Sequence, residues 1–81
     1  MKKTDFIQAG FIVNIADPQF RFTYDLSDRT ETFQEHDYKP ALLWDNVMTE
    51  FCITDGEQMF IYFHAESPAE AIEWANKVKR F

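Results

Sequence analysis

Gln19, Arg21, Thr23 and Asp25 alternate with Phe20, Phe22, Tyr24 and Leu26, and this period of two constrains the fold more than any other feature of the 81-residue chain. Successive side chains of a strand point to opposite faces, so the segment reads as a half-buried β-strand. Upstream, Ala9, Phe11, Val13 and Ile15 alternate with Gly10, Ile12 and Asn14, and Asp17-Pro18 between the two runs is a turn signal. If Ala16 faces Gln19, then Ile15 meets Phe20, Val13 meets Phe22 and Phe11 meets Tyr24. Every apolar residue then lies on one face, and a slip of one residue would destroy the match.

A second hairpin is signalled at Asp55-Gly56. Asp-Gly suits a two-residue type I′ turn, whose two positions both need positive φ. That turn sets Thr54 opposite Glu57, Cys52 opposite Met59 and Phe51 opposite Phe60. Residues 59 to 63 are apolar throughout, which predicts a strand covered on both faces, by a helix on one and by a second element or another molecule on the other.

A C-terminal helix is predicted over Ala69 to Arg80. Ser67, Pro68 and Glu70 stand at the N-cap, N1 and N3 positions of a capping box. Ala71, Trp74, Ala75, Val78 and Phe81 fall on one side, with acids early and bases late as the helix dipole favours. The middle is ambiguous. Trp44, Val47, Met48 and Phe51 have helical spacing, whereas Val47, Thr49, Phe51 and Ile53 have strand spacing. A short helix over about 40 to 49 followed by a strand is preferred, with a short strand or a loop around Thr30 to Phe33. The sum is one α+β domain over residues 1–81. Its mostly antiparallel sheet of four or so strands, in two hairpins, is packed by the C-terminal helix and the middle helix.

Composition excludes several classes. Hydrophobic residues make up 46% of the chain, too many for disorder, and a single Cys cannot form an internal disulfide. No apolar run is long enough to span a membrane, and no signal-peptide pattern follows Lys2-Lys3, so a cytoplasmic location is expected. Fourteen aromatic residues give so short a chain a means of building sufficient core.

The net charge of −6 opposes direct binding to nucleic-acid phosphates, and it is concentrated. Residues 25 to 57 carry −7, whereas the remainder carries +1. Such a segment is either a solubilising face or a docking face for a basic partner.

No motif names a reaction. Glu35-His36-Asp37 and His64 offer metal-ligand types without any metal-site spacing, so no metal is expected. Cys52 lies inside the predicted second hairpin, where a thiol is a small hydrophobe, so no catalytic residue is assigned. The two glycines are 46 positions apart, which excludes a glycine-rich phosphate loop. The aromatic run Phe60 to Phe63 lacks the Gly-aromatic-Gly pattern and the basic residue of an RNA-recognition-motif strand, so it reads as core or interface.

The expected function is therefore a small, non-enzymatic, cofactor-free module acting through protein–protein contacts. Its version with most content is an inhibitor of phage or mobile-element type, whose acidic face imitates a nucleic-acid backbone and docks on a basic or nucleic-acid-binding partner. Asp25, Asp28, Glu31, Glu35, Asp37, Asp45 and Glu50 would carry that face. One alternative is a homo-oligomer, such as a homodimer, joined through Phe60, Tyr62, Trp74 and Phe81. Another is a metal-binding protein or small enzyme using His36, Asp37, Cys52 or His64.

Overall fold

The computed structural model describes residues 1–26, 40–54 and 60–77. In chain order the elements are α1 (Lys3–Ala9), β1 (Ile12–Val13), β2 (Phe22–Asp25), β3 (Ala41–Asp45), β4 (Glu50–Thr54), β5 (Phe60–Phe63) and α2 (Pro68–Lys77). The strands form one antiparallel sheet in the order β1-β2-β3-β4-β5, an α+β arrangement.

Helix α1 was not legible in the alternation around Ala9. Its start is held by the backbone N–H of Lys2, which donates to the Asp5 carboxylate at 2.7 Å. Its end is a Schellman motif. Gly10 takes φ 105° and donates to the Ile7 carbonyl, and Phe11 donates to the Phe6 carbonyl. A Cβ on Gly10 would also lie 3.3 Å from the Tyr24 ring. The predicted first register is present where the strands pair, with Val13 opposite Phe22. It does not extend to Ile15, which is exposed in the connecting turn rather than buried against Phe20.

The expected middle helix over about 40 to 49 is instead β3 and a four-residue turn, which leads into the expected strand, β4. Trp44 and Phe51 face each other across the ladder in the core, whereas Val47 and Met48 are exposed at the turn. Thr49 completes the reversal at φ 53°. The backbone N–H groups of Val47 and Met48 are bound by the Asp45 side chain, so the local hydrogen bonds favour the turn over a helix.

The second hairpin is real, but its register is three residues from the predicted one. Phe51 faces Phe63 and Thr54 faces Phe60, and the predicted Asp55-Gly56 turn lies outside the described residues. An odd shift turns the strand over. Phe63 now shares the face of Phe51, while Phe60 and Tyr62 turn to the opposite face. The uniformly apolar pattern of β5 does not choose between these states. Contacts from elsewhere do: Trp74 stacks on Phe63 at 4.0 Å, and the Tyr62 hydroxyl reaches Asp45. Of the two expected covers of β5, the described residues supply the helix side, whereas Phe60 and Tyr62 on the other face remain 46% and 43% exposed. The expected strand around Thr30 to Phe33 lies outside the described residues.

Both helices pack on one sheet face. Phe6 of α1 stacks on Phe22 at 4.2 Å and touches Phe11, Trp44 and Phe51. Helix α2 places the small, buried Ala71 and Ala75 against the core. Its capping box forms in part: Glu70 N–H donates to Ser67 Oγ, while the Glu70 carboxylate accepts from Glu66 N–H. On the other face, the outer face below, Ile12, Thr23, Leu43, Cys52 and Tyr62 form one cross-strand row. No helix among the described residues is long and apolar enough to cross a membrane.

Candidate functional site

The polar centre of the molecule is Asp45, at the last position of β3. Its carboxylate is wholly buried and accepts four hydrogen bonds. Oδ1 takes the backbone N–H groups of Val47 and Met48, each at 3.0 Å. Oδ2 takes the Tyr62 hydroxyl at 2.8 Å and Gln19 Nε2 at 3.1 Å. Strand β3 ends here because Asp favours a local side-chain-to-backbone turn over continued ladder pairing.

These bonds join two turns at the same end of the sheet. The Asn46 N–H donates to the Gln19 carbonyl at 2.7 Å, stitching the β3–β4 turn to the β1–β2 turn. A second carboxylate organises the latter. Asp17 Oδ1 accepts from the backbone N–H groups of Gln19 and Phe20, both at 3.1 Å. Each turn therefore has its own carboxylate cap, and Gln19 links the two.

The apolar residues of these turns point outward. Ile15 is 87% exposed, Val47 72% and Met48 58%. Ile12 of β1 is also exposed, and Phe20 stacks on Phe60 of the outer face. Large apolar side chains are thus exposed on both hydrogen-bonded turns.

The ionisable groups nearby are tuned toward structure. Burial raises the Asp45 pKa, but its hydrogen bonds outweigh burial and hold it below the usual carboxylate value. The Asp45 hydrogen bond, then burial, pushes the Tyr62 phenol up to about 12. Burial, with the Asp45 charge behind it, pushes the Cys52 thiol to about 12. Cys52 is thus protonated at neutral pH and has no nucleophile's character. His64 is exposed, 3.0 Å from Glu66 and 3.8 Å from Glu50. Its hydrogen bond to Glu66, and then the surrounding carboxylates, raise its pKa. No group of three or more His, Cys, Asp or Glu among the described residues is arranged to hold a metal ion.

Of the residues expected to form the acidic face, only Asp25, Asp45 and Glu50 are among the described residues. Asp25 and Glu50 both lie on the outer face, but at opposite ends of the sheet. Asp45 departs from the expectation of a solvated acid: its oxygens are occupied by the protein's own donors, and it presents no surface to a partner. Asp28, Glu31, Glu35, His36 and Asp37 lie outside the described residues. Among the hydrophobic candidates, Phe60 and Tyr62 share the outer face, whereas Trp74 lies on the helix side against Phe63. Phe81 lies outside the described residues. Sequence reasoning missed Gln19, Ile15, Val47 and Met48. The signal for the last two was Asp45-Asn46, a turn-forming pair standing directly before them.

No protein-family model matches the sequence, and no match was found among curated proteins or solved structures.

Proposed function

We propose that this chain is a non-enzymatic binding module that docks on a basic protein surface, with Ile15, Val47 and Met48 as its apolar anchors. The supporting observation is the turn pair held by Asp45. Two loops are immobilised on a sheet by a buried carboxylate, and both display large apolar side chains to solvent. Such preorganisation lowers the ordering cost of binding. The acidic excess over residues 25 to 57 would steer a basic surface toward the module. A nucleic-acid-binding protein offers a surface of that kind. The proposal therefore extends to an inhibitor of phage or mobile-element type, in which Glu50, at the turn end of the sheet, with Asp28, Glu31, Glu35 and Asp37, would stand in for phosphates.

The test compares three immobilised proteins in capture from the native host: wild type, an Ile15→Ser/Val47→Ser/Met48→Ser variant, and an Ile7→Ser control on α1. Unchanged circular dichroism is required of all three. Wild type and control should retain the same protein, the triple variant should lose it, and retention should fall as salt rises. Equal capture by the triple variant and wild type would overturn the proposal.

A further inference from the structure

We infer that His64 is a proton-controlled clip: as an imidazolium it holds Glu50 of β4 and Glu66 at the entry to α2 together, and on losing its proton it releases Glu50. This goes beyond the docking proposal and does not use its anchors.

The sheet register sets the clip up. Phe51 pairs with Phe63, so one step further along the two strands Glu50 stands opposite His64. The chain then turns toward α2, which brings Glu66 to the other nitrogen of the ring. His64 Nδ1 lies 3.8 Å from Glu50 Oε2, and Nε2 lies 3.0 Å from Glu66 Oε1. Glu66 is itself held, because its backbone N–H donates to Glu70 Oε2 at 2.8 Å while the Glu70 N–H donates to Ser67 Oγ. The charged groups acting on the ring are thus Glu66 from the connection, Glu50 from β4 and Glu70 from α2, and all three are carboxylates.

Both ring nitrogens face carboxylate oxygens, and only the imidazolium presents an N–H to each. A neutral ring keeps one N–H and turns a lone pair toward the other carboxylate. The shorter contact, to Glu66, keeps the hydrogen, so Glu50 is the group that loses. Its Oε2 is closed off from solvent and has no hydrogen-bond partner among the described residues, so the His64 charge is what compensates it. Without that charge the oxygen has to turn out to water. Histidine is the side chain whose charge changes between about pH 5 and 8. Its hydrogen bond to Glu66, then the charges of Glu66, Glu50 and Glu70, raise the His64 pKa. The clip is therefore closed at lower pH and opens as pH rises through that raised value. Glu50 is the first residue after the turn that presents Val47 and Met48, so opening adds a free acid at that end of the sheet.

Nuclear magnetic resonance titration of the full chain tests the inference. The His64 ring should titrate above the ordinary histidine value of about 6.5, and Glu50→Gln and Glu66→Gln should each lower that midpoint. Overhauser contacts supply a readout without substitution. Those between the His64 ring and the Glu50 side chain should be present at about pH 5.5 and lost at about pH 9 (assay choices), while those to Glu66 persist at both. A His64 midpoint at or below the ordinary value would overturn the inference, as would a midpoint unmoved by Glu50→Gln. So would ring-to-Glu50 contacts that are the same at the two pH values. Loss of the clip leaves Ile15, Val47 and Met48 in place, so the two proposals fail separately.

Discussion

Replacing Asp45 by Ala removes the acceptor for four donors at once. Val47 and Met48 lie in an exposed turn, so their freed N–H groups regain water in part. Loss of that carboxylate cap should cost about 2 kcal/mol, the upper end for a side chain capping backbone N–H groups. The Tyr62 and Gln19 bonds add about 1 kcal/mol together, since Gln19 is exposed and recovers its partner from solvent. The total of about 3 kcal/mol is a large share of the roughly 4–12 kcal/mol expected for a domain of this length. It corresponds to a fall in Tm of about 12–24 °C. Asp45→Asn should cost only about 1 kcal/mol. Its amide oxygen still accepts from the two turn N–H groups, and the Tyr62 hydroxyl and the Gln19 amide can reorient to accept from its NH₂ group. Urea and thermal unfolding at pH 7 measure both changes. The advantage of wild type over Asp45→Asn also carries a pH sign. The folded pKa of Asp45 lies below its unfolded value, so the stabilisation is present above the unfolded value of about 3.9 and is lost as pH falls through the folded value. An Ala variant as stable as wild type, or an Asn variant as unstable as Ala, would refute the reasoning.

Other parts of the fold are equally open to test. Phe6→Ala removes the ring shared by Phe11, Phe22, Trp44 and Phe51, and should cost about 3–5 kcal/mol in chemical denaturation. Gly10→Ala places a Cβ at φ 105° and 3.3 Å from Tyr24, and should cost at least about 1 kcal/mol in the same assay. Cys52 should stay unreactive toward a thiol reagent at pH 8 (an assay choice) until the chain unfolds, because its pKa is about 12 and it is buried. Rapid modification of the native protein would contradict its placement.

How much was legible in the sequence follows from how local each determinant is. Strand β2 and helix α2 were readable because alternation and a capping box are properties of a few neighbouring residues. The Val13–Phe22 register was readable because one face of each strand must be apolar. Helix α1 has only seven residues and one buried side chain, Phe6, so its periodicity is too short to outweigh the apparent alternation from Ala9 onward. The helical spacing of Trp44, Val47, Met48 and Phe51 was coincidental: two of the four are core and two are turn tips. The second register was not readable because β5 is apolar at every position, leaving contacts from Asp45 and Trp74 to choose its face. Phe60 and Tyr62 stood out as hydrophobic interface candidates. The role of Asp45 did not, because its bonds to Gln19 and Tyr62 span 26 and 17 residues of sequence.

The central structural claim is that a buried carboxylate locks the turn that presents Val47 and Met48. Amide hydrogen exchange at those two residues in wild type and Asp45→Ala tests it most directly, at a temperature where both are folded. Exchange should be slow at both amides in wild type and fast at both in Asp45→Ala, with the β3–β4 ladder still protected. Fast exchange at Val47 and Met48 in wild type, while that ladder stays protected, would contradict the account.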